Sequence, residues 1–213
     1  QATYQPIVDA FCRDIDLDLA GLDKIPSPFI PLYGSGYEKS AIRIAFVGID
    51  TVGWQDGVKA FVTANRENPK AWLGDLEWFH GKVHVSKWGN RRTTFWGFIM
   101  GLIADMYGID DWGILKRGLR DDLLSSLAWG NVNAIEHFNS SSKGKGAPLD
   151  SWKLCREKSK PFLGVRPIIE AVRPNIMVIL NASISPEGYF NGVAWEKCED
   201  KDECRRYRLT DYG

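Results

Sequence analysis

A short apolar run, Ile44-Ala45-Phe46-Val47, breaks at Gly48 and is followed by Ile49 and a lone carboxylate, Asp50. That order suits a buried parallel strand opening into a loop at its carboxyl end. Ligands of open α/β sheets bind just outside those ends. Asp50 therefore stands where a catalytic or ligand-orienting acid would stand. Equally, it could cap the turn that follows. A second apolar run, Leu127–Val132, ends in Asn131-Val132-Asn133. A side-chain amide can both donate and accept hydrogen bonds. Alternation along a strand points Asn133 the same way as Asn131. Trp54, close behind Asp50, offers a stacking face or a core anchor. Arg91 and Arg92 precede a long helix and could hold phosphates, or simply face solvent.

These groups need a frame, and the apolar pattern supplies one. Tyr4, Ile7, Val8, Phe11 and Ile15 predict an amphipathic helix over 4–15. Three prolines between Pro26 and Pro31 force an extended path, and Leu32 to Tyr37 continues as a glycine-broken loop, so 1–40 reads as a helix plus a tether. Strand 1 follows at 42–47. Val58, Phe61 and Val62 suggest a helix, whereas Trp72 to Trp88 has no clear period. Phe95, Phe98, Ile99, Leu102, Ile103 and Met106 recur at helical spacing, with Thr93 or Thr94 as N-cap and Gly108 as C-cap. A second helix is expected over 114–124 and strand 2 over 127–132. Residues 139–147 are a Ser/Gly/Lys loop. Helices over 148–160 and 168–172 then lead to strand 3 at 176–180, and Tyr207–Thr210 could form a fourth strand. Strands alternating with helices predict an α/β fold: three α/β/α layers around a small, mainly parallel sheet of about four strands, in one domain over 1–213.

Composition bounds the partners. The chain has 213 residues, with 27 Lys plus Arg balanced by 27 Asp plus Glu, so bulk charge does not drive binding to nucleic acid. Local basic stretches remain possible, at Lys82 to Arg92 and at Lys153 to Lys160. No segment approaches the apolar length of a membrane span, and no leader is visible, so no membrane association is expected. Cys12, Cys155, Cys198 and Cys204 form no C-x-x-C pair, and His80, His84 and His137 complete no zinc spacing. Neither metal nor cofactor is expected. Scattered thiols fit a reducing, cytoplasmic setting, although Cys198 and Cys204 could pair in an exported protein.

Three segments together resemble the uracil-DNA glycosylase superfamily: strand 1 with Gly48-Ile49-Asp50, Trp129-Gly130-Asn131-Val132, and Arg173-Pro174 leading through Ile176–Leu180 to Asn181-Ala182-Ser183. Their order and spacing agree over 42–185, and Gly-x-Asp-Thr-x-Gly-Trp is also similar to bacterial members of that fold group. The resemblance implies a monomeric DNA base-excision glycosylase, hydrolysing the N-glycosidic bond of a damaged or deaminated base. It implies Asp50 as the catalytic carboxylate and a base pocket from Gly48, Ile49, Thr51, Trp54, Asn131, Asn133 and Ser183, with Arg91 and Arg92 on phosphate. The expected partner is DNA or a nucleobase-containing ligand. Thr51-Val52-Gly53 stands where the best-known branch has Pro-Tyr-His, Asn181 replaces a Gly, and no His follows His137, so the family's late His-Pro motif has no counterpart in these residues. The rival expectation is a non-catalytic module holding a nucleotide or nucleic acid in the same cleft. A sugar-kinase or actin-like phosphate motif would need Gly and a hydroxyl where Val52 and Trp54 stand, and a haloacid-dehalogenase phosphatase would need a second Asp at Val52.

Overall fold

A computed structural model of the chain describes residues 3–50, 54, 56–82, 94–117, 120–135, 147–180, 190, 192–201 and 204–210. Its main sheet has the order β1-β3-β2-β4. The strands are β1 (Leu32–Tyr33), β2 (Ile44–Gly48), β3 (Leu127–Asn131) and β4 (Ile176–Ile179). β2 runs parallel to both β3 and β4, with Gly48 opposite Asn131 and Val47 opposite Ile179. β1 is an antiparallel edge, pairing Leu32 with Trp129.

The fourth strand of this sheet is thus Leu32–Tyr33, which the glycine pattern presented as loop. The expected C-terminal strand forms elsewhere: β5 (Trp195–Lys201) and β6 (Cys204–Leu209) make a separate antiparallel hairpin. Gly34 explains the first difference. A Cβ there would fall 2.0 Å from the Ser125 carbonyl oxygen, so the glycine permits β1 to lie against the turn before β3.

Alternation along β2 splits the core between two faces. Ile44 and Phe46 pack with α3 (Gly74–Lys82) and α4 (Thr94–Met106) through Leu76, Phe79, Trp96, Ile99 and Met100. Ala45 and Val47 share a core with Ile168 and Ile169 of α8 (Arg166–Val172) and with Phe190 and Val193, which precede the hairpin. A further core joins α1 (Tyr4–Asp14), α2 (Val58–Glu67) and α7 (Leu149–Lys158) around Phe11, Val62 and Trp152. The fold is therefore mixed α/β with a small, mostly parallel sheet. Among the described residues, no helix is long and apolar enough to cross a membrane.

Two helical expectations shift. The buried face of α4 is Trp96, Ile99, Met100, Ile103 and Ala104, while Phe98 and Met106 are 48% and 47% exposed. Almost every position of this helix is apolar, so periodicity does not select its inner face. The single helix expected over 114–124 is two short ones, α5 (Gly113–Lys116) and α6 (Asp121–Leu124).

The proline-rich segment is no loose tether. Ile25 through Leu32 is buried throughout. The Ser27 amide donates to the Asp56 carbonyl and the Val58 amide to the Ile25 carbonyl, while the Phe29 amide donates to the Ala134 carbonyl at 2.8 Å. One extended strap thereby braces the chain after β2 and after β3 together. Prolines suit this role because they preset an extended path and leave few amides to satisfy.

Candidate functional site

The strap, β2 and β3 place the two chain exits side by side. Pairing continues past the strands: the Val132 amide donates to the Gly48 carbonyl and the Asn133 amide to the Ile49 carbonyl, both at 2.9 Å. From the far side, the Gly164 amide donates to the Val132 carbonyl at 2.9 Å. Asp50 and Asn133 are thereby held by backbone rather than by loop chance. The Asn133 Nδ2 amide donates to Asp50 Oδ1 at 3.0 Å. That bond orients the carboxylate and keeps one oxygen in an acceptor role.

Asn131 lies one register step inward. A Cβ on Gly48 would stand 2.6 Å from Asn131 Oδ1 and 3.3 Å from Phe95 Cε2. The glycine thus gives the Asn131 amide its room above the strand end, against the Phe95 ring. Asn131 is 6% exposed, and its Nδ2 has no hydrogen-bond partner among the described residues. A buried, unpaired amide donor costs about 1–3 kcal/mol. Such orphans are rare enough to point to a ligand or an ordered water.

The sequence candidates separate accordingly. Gly48, Ile49, Asp50, Asn131 and Asn133 come together at the carboxyl ends of β2 and β3. Trp54 does not join them as a stacking face. It is 6% exposed, with its ring 4.7 Å from Phe29 and 5.5 Å from Trp129 in edge contacts, so it anchors the interior. Thr51, Ser183, Arg91 and Arg92 lie outside the described residues.

Phe95 is the residue that the sequence pattern assigned to the core and the structure brings to the site. It is half-buried, 5.2 Å from Trp96 and 6.4 Å from Trp129. Its place in the first turn of α4 was the available signal, since that end of a crossover helix meets the sheet beyond β2. The void under this region, between Phe46, Trp96 and Trp129, measures about 10 Å³, roughly one water. A void of that size admits no ligand as large as a base.

Chemically, the arrangement offers an oriented carboxylate, an amide donor awaiting an acceptor and an aromatic ring beside it. Among the described residues, no group of three His, Cys, Asp or Glu side chains could hold a metal ion. Compared with models of protein families, with curated proteins and with solved structures, the chain has no match.

Proposed function

We propose that this chain is a uracil-DNA glycosylase-like protein, a base-excision hydrolase acting on a damaged or deaminated base. One observation carries the reading: Asp50, tied to Asn133, and the buried Asn131 amide, which has no hydrogen-bond partner among the described residues, share one edge of the sheet. Breaking an N-glycosidic bond leaves positive charge on the sugar and negative charge on the departing base. Asp50 is the group that stabilises the sugar cation and orients or deprotonates the attacking water. Asn131 donates through Nδ2 to a base carbonyl, and Phe95 flanks the base plane. The base must first leave the stack, at a cost of a few kcal/mol.

The test uses single- and double-stranded DNA carrying uracil, hypoxanthine or xanthine, scored for alkali-labile abasic sites. Cleavage is expected, and Asp50→Asn should lower its rate by about 10²–10⁴-fold. Absence of cleavage on all three bases sinks the hydrolase reading. Salt-sensitive DNA binding without cleavage would leave the same cleft as a binding module for a nucleotide or nucleic acid.

A further inference from the structure

A second groove lies at the opposite, amino ends of the parallel strands. It is lined by Tyr33, Tyr37, Glu38, Arg43, Val172 and Arg173 and encloses about 250 Å³. Arg43 immediately precedes β2, and Arg173 closes α8 just before β4. A five-residue strand spans about 16 Å, so this groove is a site separate from Asp50.

Among the described residues, neither guanidinium forms a salt bridge. Arg43 is half-buried, yet its neighbour Glu38 accepts a hydrogen bond from the Tyr33 hydroxyl instead, at 3.4 Å. Leaving a partly buried guanidinium uncompensated is unfavourable. Tyr37 is 1% exposed, and its hydroxyl has no hydrogen-bond partner among the described residues. Burial pushes that phenol's pKa up, and the charge of Arg43, which lines the same groove, pulls the other way. Arg173 adds a third signal. Its φ of 46° and ψ of 60° are left-handed, a conformation that disfavours any side chain, and it precedes a proline. Glycine would fit this helix end without strain. An arginine held there at a backbone cost points to use of its side chain.

We propose that this groove binds a phosphate group, inorganic or on a small phosphomonoester, between Arg43 and Arg173. Two guanidinium forks match a tetrahedral oxyanion with several acceptors, and a groove of about 250 Å³ has room for such a headgroup together with its substituent. The proposal does not depend on the glycosylase reading, because its residues lie at the other end of the sheet.

Calorimetric titration of the intact protein with inorganic phosphate, adenosine monophosphate and acetate tests it. Phosphate should bind, and Arg43→Gln or Arg173→Gly should each weaken it about tenfold or more. Arg173→Gly relieves the left-handed backbone, so an unchanged or raised melting temperature is expected, which separates lost binding from lost folding. Glu38→Gln removes a repelling charge and should tighten binding. A stronger signal from the monophosphate than from phosphate assigns the site to phosphomonoesters; the reverse assigns it to free phosphate. No binding of either, binding unchanged in both arginine variants, or equal binding of acetate would overturn the proposal.

Discussion

Asn131 is held in a state that packing alone does not favour. Its Nδ2 is buried with no hydrogen-bond partner among the described residues, so Asn131→Leu, close in volume, should leave stability unchanged or raise it by about 1–2 kcal/mol in urea unfolding. The same change should abolish recognition of any ligand read by that amide. A clear loss of stability would mean that the amide serves the fold. Gly48 gives the complementary case. Gly48→Ala puts a methyl 2.6 Å from Asn131 Oδ1, and the short, buried side chain has little room to retreat. A cost of about 1 kcal/mol is expected, together with loss of ligand binding, since the displaced amide no longer faces the strand end. Asp50, Asn131 and Asn133 were legible as candidates because polar residues ending apolar strands stand out. Phe95 was not legible by residue type, because it is one more apolar residue in an apolar helix and only its place in the first turn sets it apart.

Elements are tied by contacts that their own sequences do not announce. The Arg66 guanidinium, near the end of α2, donates to the Cys12 carbonyl at 2.9 and 2.8 Å and to the Ile15 carbonyl at 2.6 Å. It thus satisfies carbonyls at the C-terminus of α1 that the helix leaves unpaired. Arg66→Ala should cost about 2 kcal/mol, and Arg66→Lys should restore only part of it, because a single ammonium cannot span both carbonyls as the fork does. Thermal unfolding of the three proteins measures this. In α4, Ile99→Ala should cost about 3 kcal/mol and Phe98→Ser less than about 0.5, since Ile99 is fully buried and Phe98 faces solvent. Equal costs would overturn the observed phase of that helix. Here the sequence supplied the helix and its length, and tertiary contact chose its inner face.

At the scale of the whole molecule, stability should fall steeply at alkaline pH. Burial raises the Cys12 thiol to about 11 and the Cys155 thiol to about 12, from the ordinary thiol value of 9.0. A raised folded-state pKa means that the unfolded chain loses its protons first. The stabilisation is therefore complete below about pH 9 and is lost as pH rises toward 11 for Cys12 and 12 for Cys155. Each thiol adds a slope of about 1.4 kcal/mol per pH unit within its window. Urea midpoints across that range, compared with Cys155→Ala, should show a shallower alkaline limb in the variant. Both thiols sit in the core that joins α1, α2 and α7, so the loss should begin there.

The sequence by itself determined the chain's local character. Apolar runs of strand length, helical spacing and the punctuation at Gly48, Pro148 and Pro167 depend on near neighbours, and β2, β3, β4 and most helices follow from them. It also marked the polar residues that end two strands. Tertiary structure decided what depends on distant partners. Leu32–Tyr33 is a strand because β3 offers an edge and Gly34 fits beneath Ser125. The proline segment is a strap because two loops need backbone partners at once. Tyr207 pairs with Lys197 rather than with the main sheet, and Trp54 is interior because Phe29 and Trp129 enclose it. Proximity of Asp50 to Asn133, 83 residues apart, is likewise a matter of register between β2 and β3, which no local pattern encodes.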